Sequence, residues 1–418
     1  MHPQIGKPSW PKQRLGLLSD EVRELYEPTV NEDLQYIGLE HIEQGSLTLC
    51  GVGLSSETQS TKKVFRADDI LFGTLRPYFR KVVRAKFDGV CSTDITVIRI
   101  KEKADRDFLF YFIANHPFIE YATTSSSGTR MPRAKWSHLS TIEWNIPKLK
   151  EREKIGAILS AYDDLIESNI RRIKILEEMA QTLYREWFVK FRFPGHRKVK
   201  MVDSPLGKIP EGWEMKRIGD VCTVVPGYAF KSSDWQKSGI PVIKIKNINS
   251  DNTVNTDETD CVSEDLLNSA MEKFLLKDGD NLIAMTGATA GKIGKLRSKQ
   301  GMLLNQRVAK IEPHNPYNAF VWCTICTEEC QARFFRLADG AAQPNMSGHQ
   351  IEGFPILLPI KALCEDFSEM VNPFLLEIDN LIHTNRNLRQ TRDLLLPKLI
   401  SGELDVSELD ITIPEANA

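Results

Sequence analysis

The sequence predicts a duplicated mixed α/β (α+β) chain: two domains joined by two long antiparallel coiled-coil helices related by a pseudo-two-fold axis. Three observations predict it. Lys154 to Phe188 carries a heptad seam. A second amphipathic helix near the C-terminus matches the first at a shift of 216. The segments between them also repeat, in unbroken order.

The first long helix reads KIGAILSAYDDLIESNIRRIKILEEMAQTLYREWF. Ile155, Leu159, Tyr162, Ile166, Asn169, Ile173, Leu176, Ala180 and Leu183 follow at alternating spacings of four and three. This is a coiled-coil seam of roughly four heptads, about 45 Å long at ~1.5 Å per residue. The other faces are charged, so only the seam calls for a partner. The segment starting at Ile378 supplies one. Asp163 falls on Asp379, Leu165 on Leu381, Ile166 on Ile382, Asn169 on Asn385 and Leu183 on Leu399. Its core positions are Ile378, Ile382, Asn385, Leu396 and Leu399. An antiparallel pair brings Asn169 to Asn385, a polar contact that fixes register at some cost in stability. Arg389 and Arg392 interrupt this seam, so Leu388 and Leu395 are expected to replace them. Pro397 is expected to kink or end the helix.

The domains repeat as follows. WPKQRLG (10–16) matches WEMKRIG (213–219) at a shift of 203, each opening with an exposed Trp. QYIGLEHI (35–42) matches PVIKIKNI (241–248) at 206, both strand-like. RADDILFGTLRPYFRKVV (66–83) matches KDGDNLIAMTGATAGKIG (277–294) at 211, each a turn, a strand and a basic loop. CSTDITVIRI (91–100) covers MLLNQRVAKI (302–311) at the same shift. Helical segments follow, FLFYFIANHPFIEYATT and AFVWCTICTEECQARFF. SSGTRMPRAKWSHLSTIEWNIP (126–147) then matches ADGAAQPNMSGHQIEGFPILLP (338–359) at 212, and each copy leads into a long helix. The boundaries are domains at 1–150 and 207–360, helices at 151–190 and 361–418 (the latter with a C-terminal tail), and a linker at 191–206.

The composition, 41% apolar and 26% charged, is that of an ordinary globular protein. No apolar run spans a bilayer, the N-terminus lacks a signal-peptide core, and eight cysteines form no regular framework, so a cytoplasmic location is expected. The net charge of −2 shows no global preference for nucleic acid. Its distribution says more. Leu18 to Thr61 holds nine acidic residues and one basic; Lys62 to Lys150 holds seventeen basic and nine acidic. The order recurs: Asn249 to Glu272 has seven acidic and no basic residues, and Lys273 to Lys310 eight basic and two acidic. Basic stretches of this kind are either solvated surface or electrostatic footprints for phosphate, and the same order in both halves favours the second.

Catalytic motifs are missing. TGATAGKIG (286–294) is one residue short of a phosphate loop, and Ile293 stands where a Ser or Thr must hold Mg²⁺. HNPYN (314–318) lacks one proline of an adenine-methyltransferase motif. Cys323, Cys326 and Cys330, at i, i+3 and i+7, read as one core face of a helix rather than a zinc site. The histidines show no paired metal spacing, and no nucleophile elbow is present.

Several of these segments carry a resemblance. LRQTRDLLLPKLISGEL (388–404), DGDNLIAMTGATAGKIG with LLNQRVAKI, GKIPEGWEMKRIGDV (207–221) and AAQPNMSGHQIEGFPILLP (341–359) resemble the specificity subunit of type I restriction-modification enzymes. The first half departs most, with GTLRPYFRK in place of the Gly/Thr-rich loop. The resemblance implies that each α/β domain is a target recognition domain reading one half of an asymmetric, bipartite double-stranded DNA target. It implies that the helices form a spacer that sets the gap and docks two modification (methyltransferase) subunits, with two restriction (translocase and nuclease) subunits completing the complex. The chain is then non-catalytic. It holds no cofactor or metal; S-adenosylmethionine, ATP and Mg²⁺ belong to the partners, which methylate adenine at N6 and cleave DNA. No membrane is involved.

Candidate DNA contacts lie on the loops after the repeated strands. In the first domain these are Thr74, Arg76, Tyr78, Arg80 and Lys81, then Ser126, Thr129, Arg130, Arg133 and Lys135. In the second they are Thr286, Thr289, Lys292 and Lys295, then Asn305, Gln306 and Arg307, then Gln343, Asn345 and Ser347. Arg suits guanine and Asn or Gln suits adenine in the major groove, whereas Lys and Gly/Thr loops suit phosphates. Asn305 and Gln306 also precede a buried strand, which gives them a structural alternative.

Overall fold

The computed structural model describes residues 5–29, 32–128, 130–338 and 345–411. The chain divides into two compact units, residues 1–167 with 387–418, and residues 168–386. Both are built on one plan.

In the first unit a four-stranded sheet has the order Ser19–Val22, Ile95–Ile100, Ile70–Gly73, Val82–Arg84. A five-stranded sheet has the order Leu25–Tyr26, Lys62–Phe65, Gly89–Cys91, Gln35–Ile37, Gly53–Leu54. Its pairings are antiparallel except Gln35–Ile37 beside Gly89–Cys91. The second unit repeats the four-stranded sheet as Cys222–Pro226, Val308–Pro313, Asn281–Ala284, Ile293–Lys295. Its five-stranded sheet again contains one parallel pair, Ile240–Ile243 beside Met302–Leu304.

Layering explains why these strands read as continuous apolar runs rather than alternating ones. Ile70, Phe72, Val82 and Ile98 join a core with the helices Arg106–Ala114 and His116–Thr124. Leu71, Val83, Ile95 and Val97 point the other way, toward Ile37, Phe65 and Cys91 of the five-stranded sheet. A strand buried on both faces has no polar side to show. In the second unit Ile283, Ile293, Ala309 and Ile311 pack with the helices Asn318–Ile325 and Glu328–Leu337, while Leu282, Ala284 and Val308 face the five-stranded sheet.

Two long helices, Leu149–Tyr184 and Lys361–Ser401, run through both units. In the first unit Ile155 and Leu159 share a core with Leu396, Leu399 and Ile400, and Lys154 Nζ donates to the Ser407 carbonyl over 2.7 Å. In the second, Asn169 donates to Asn385 and Arg172 pairs with Glu377 at 2.8 Å. Within each unit the contacts advance along one helix as they recede along the other. Ile166 and Ile378 are buried, and Tyr162, Ile173, Leu176, Leu183 and Ile382 half-buried.

Several expectations need correction. The second helix does not end at Pro397 but continues to Ser401. Proline costs a helix interior about 3 kcal/mol, but burying Leu396, Leu399 and Ile400 contributes about 1.5–3 kcal/mol each. Arg392 is not displaced from the seam by leucines. It is 1% exposed and bound to Asp163, while Leu388 and Leu395 are only half-buried. Trp213 is buried, not exposed, and stacks with Phe193 at 5.7 Å. QYIGLEHI and PVIKIKNI are each a short strand followed by a 3-10 turn, Leu39–His41 and Ile245–Asn247. The cysteine stripe spans two helices, because Cys326 ends one and Thr327 caps the next. Burial pushes the Cys323 and Cys330 thiols up to about 12, as inert core groups.

Finally, the match of 91–100 to 302–311 is out by two residues. Gly89–Cys91 corresponds to Met302–Leu304, because Ile37 pairs with Cys91 and Ile243 with Leu304. A slip of two leaves every side chain on its own face, so the apolar pattern cannot reveal it.

Candidate nucleic-acid interface

Each unit presents the same backbone frame at one end of its four-stranded sheet. In the first unit the Gly73 N–H donates to the Lys81 carbonyl over 2.8 Å, closing a loop around the 3-10 turn Pro77–Phe79. In the second the Ala284 N–H donates to the Lys292 carbonyl over 2.9 Å, around the 3-10 turn Gly287–Thr289. The loops look unrelated in sequence yet share a conformation. Arg76 and Arg80 have φ of 53° and 48°, and Gly287 and Gly291 of 73° and 82°. Glycine meets this demand without strain. At Gly291 it is also required sterically, since a Cβ would lie 2.8 Å from the Gln331 carbonyl oxygen. No helix follows the second loop; the strand Ile293–Lys295 does, unlike a phosphate loop.

The frame sorts the predicted contacts. Seven are buried or bonded within the protein instead of facing solvent. Thr74 is buried and its hydroxyl donates to the Asp94 carbonyl over 2.7 Å. Arg80 is 7% exposed; it binds the Gly45 carbonyl and His116 Nε2, the latter at 2.7 Å. Burial, then the Arg80 charge, lowers the His116 pKa and favours the neutral ring that accepts this bond. Lys81 Nζ donates to the Leu39 carbonyl over 2.6 Å, and the Ser126 hydroxyl to the Thr123 carbonyl over 2.7 Å. Thr286 is buried. Lys295 is buried over the Trp322 ring, 4.9 Å from its centroid and 4.0 Å from Asp379. Asn305 is buried and accepts the Arg307 N–H over 3.2 Å, the structural alternative of the two.

Charge runs misled for the same reason. Lys295, Arg297 and Lys310, three of the basic residues between Lys273 and Lys310, are buried beside Asp379 or Asp280. Exposed positions in the first unit are Tyr78, Arg130, Arg133 and Lys135. In the second they are Gln306, Arg307, Asn345 and Ser347, the last also capping the helix Gly348–Glu352. Arg76, Thr289 and Lys292 are half-buried. Thr129 and Gln343 lie outside the described residues.

Two clefts adjoin these groups. In the first unit a cleft of about 580 Å³ is lined by Arg23, Lys63, Arg133, Lys135 and Ser137 among others. In the second a cleft of about 320 Å³ is lined by Phe230, Trp235, Lys244, Lys246, Gln306 and Arg307. Lys244 Nζ sits 3.4 Å from the Trp235 ring centroid and 2.9 Å from Asp260. Sequence reasoning missed Arg23, Lys63, Phe230, Trp235, Lys244 and Lys246. Lys244 and Lys246 lie within PVIKIKNI, whose apolar residues around them give it the pattern of a buried strand. Cations, amides and half-buried aromatic rings in one cleft suit phosphates, base edges and base faces respectively. Among the described residues no group of three or more His, Cys, Asp or Glu is placed to hold a metal ion. No described helix is long and apolar enough to cross a membrane.

The family described as Type I restriction modification DNA specificity domain matches the chain twice, over residues 23–178 and 210–365. These stretches exceed half of the sequence. The chain belongs to that family. A type I specificity subunit is a recognition component without catalysis of its own, which fits the absent catalytic motifs. The chain is 27% identical over 314 residues to the MjaIX specificity subunit of Methanocaldococcus jannaschii, covering 74% of this chain and 71% of the relative. It is 24% identical to the HindI specificity subunit of Haemophilus influenzae, covering 94% and 99%. The crystal structure of a type I S subunit from M. genitalium shares the fold, with a TM-score of 0.56, 16% identity and 97% of each chain covered. The two matched stretches are the two copies of the sheet frame, so this specificity subunit carries two recognition domains.

Proposed function

We propose that each recognition domain reads one half of an asymmetric, bipartite double-stranded DNA target. The two long helices act as an antiparallel coiled-coil spacer with pseudo-two-fold symmetry. The spacer sets the gap between half-sites and docks two modification and two restriction subunits. S-adenosylmethionine, ATP and Mg²⁺ are used by those partners in the cytoplasm, and this chain supplies the address.

One observation carries the proposal: a single backbone frame occurs twice, with different exposed side chains at matching places. A duplicated fold that keeps its scaffold and changes its tips is built to present two different surfaces to one kind of ligand. Arg133 and Lys135 stand in one domain where Asn345 and Ser347 stand in the other. These side chains discriminate base edges, and the two sets differ, so the two half-sites must differ.

The test is to co-express this chain with its modification subunit in a host that lacks adenine methylation and to map methylated adenines by single-molecule sequencing. A split motif with a fixed gap and unlike halves is expected. A stable complex with no methylation, or a continuous motif, would refute the proposal.

A further inference from the structure

We infer that Arg133 reads a guanine in the half-site of the first recognition domain and that Asp94 is its positioning residue. The inference rests on the proposed function and deepens it.

The two domains are superposable here by hydrogen bonds alone. Thr74 N–H donates to the Asp94 carbonyl over 2.8 Å, as Met285 N–H does to the Arg307 carbonyl over 2.9 Å. Asp94 N–H donates to Ser92 Oγ over 3.3 Å, and Arg307 N–H to Asn305 Oδ1 over 3.2 Å. Ala134 N–H donates to the Thr74 carbonyl over 3.0 Å, and Met346 N–H to the Met285 carbonyl over 2.8 Å. Leu75 bridges to Arg133, and Thr286 to Asn345. Asp94 therefore occupies the place of Arg307, and Arg133 the place of Asn345.

The backbone is held constant and the chemistry is replaced. One domain sets an acid beside an arginine; the other sets an arginine and an amide. Residues that served the fold would keep their type, as Asp69 and Asp280 do in accepting the N–H of Arg66 and Lys277, both at 2.8 Å. Residues that differ in kind on a fixed frame and keep an exposed side chain are free to serve what the frame faces.

Arg133 is built for a bidentate contact. Its main chain is pinned on both sides, since it exchanges hydrogen bonds with Ser127 at 3.2 and 3.0 Å while it bridges to Leu75. Its side chain remains 54% exposed and lines the cleft of the first domain. One guanidinium nitrogen lies 2.8 Å from the Asp94 carboxylate. That contact orients the planar fork and leaves its other N–H groups for O6 and N7 of guanine. An exposed ion pair contributes little to stability, so orientation is the better account of this one.

The experiment maps methylation by complexes of the full-length chain with its modification subunit, each checked for an unchanged melting temperature. Wild type is mapped first, and an absent split motif takes down the proposed function and this inference with it. With a split motif in hand, Arg133→Gln should relax one guanine position in one half-site, lowering discrimination there by about tenfold or more. The other half-site and the gap should stay unchanged. Arg133→Lys keeps the charge but loses the fork, so it should relax the same position. Asp94→Asn should relax it in part, and Asp94→Glu should restore it, which a purely structural role would not do. If Arg133→Lys retains full discrimination, or if Arg133→Gln lowers methylation at every site with the motif intact, Arg133 is a phosphate contact and the inference fails.

Discussion

Asn169 Nδ2 donates to Asn385 Oδ1 over 2.8 Å, and both side chains are buried, at 3% and 4% exposure. Each sits at a heptad core position where leucine would pack better. Replacing both by leucine should raise the midpoint of urea unfolding, because two amides no longer lose their hydration. Asn169→Ala alone should cost about 1–3 kcal/mol, since the Asn385 carbonyl loses its Asn169 donor. Equal effects of the single and double changes would show that the two amides are not coupled across the seam.

Arg392 makes a second polar contact inside the seam. It binds Asp163, and its guanidinium also lies 3.0 Å from Asp393. Tyr111 donates to the same Asp163 over 2.5 Å; burial, then the Asp163 charge, pushes the phenol pKa well up and keeps it a donor. Arg392→Met should destabilise the first unit by about 3–5 kcal/mol, because Asp163 is left without its counter-charge. Arg392→Met with Asp163→Leu should recover much of that loss. Chemical denaturation of the two variants measures the difference.

Those two contacts mark how far the sequence could be read. Asn169 and Asn385 were legible because heptad spacing fixes which residues face inward, whatever their chemistry. Arg392 was not, since an arginine at a core position looks like a break until its acid is seen on the other helix. The duplicated sheet frame was legible down to Asp69 and Asp280. It slipped by two at Cys91, because side-chain alternation repeats every two residues. The site was least legible. Arg80 and Lys295 have the residue type of DNA contacts, but burial is a tertiary property. Lys244 was hidden the opposite way, among the apolar residues of its own segment.

The loop at Arg76 and Arg80 tests this distinction. Both residues adopt a left-handed conformation that costs a non-glycine residue about 1–2 kcal/mol. Arg76→Gly should leave stability within about 1 kcal/mol of wild type, with relief of strain offset by the greater freedom of glycine when unfolded. Arg80→Gly relieves the same strain but removes the buried bonds to His116 and the Gly45 carbonyl. It should lower the melting temperature clearly. Similar melting temperatures for the two variants would mean that Arg80 does not anchor the loop.

Lys292 and Lys295 are three residues apart and should behave as opposites. Lys292 is half-buried on the loop proposed to face DNA, whereas Lys295 is buried beside Asp379 and Trp322, with its pKa lowered chiefly by burial. DNA binding by the assembled complex should weaken on all sequences with Lys292→Ala. The slope of log affinity against log salt should become shallower by about 0.9, the value for one phosphate contact. Lys295→Met should leave that slope unchanged, because a buried ammonium displaces no counterion. Its effect should appear in unfolding of the second unit, where the Asp379 charge loses one of its two basic neighbours while Arg297 stays at 2.8 Å. A shallower salt slope for Lys295→Met, or an unchanged one for Lys292→Ala, would reverse the assignment of the loop face.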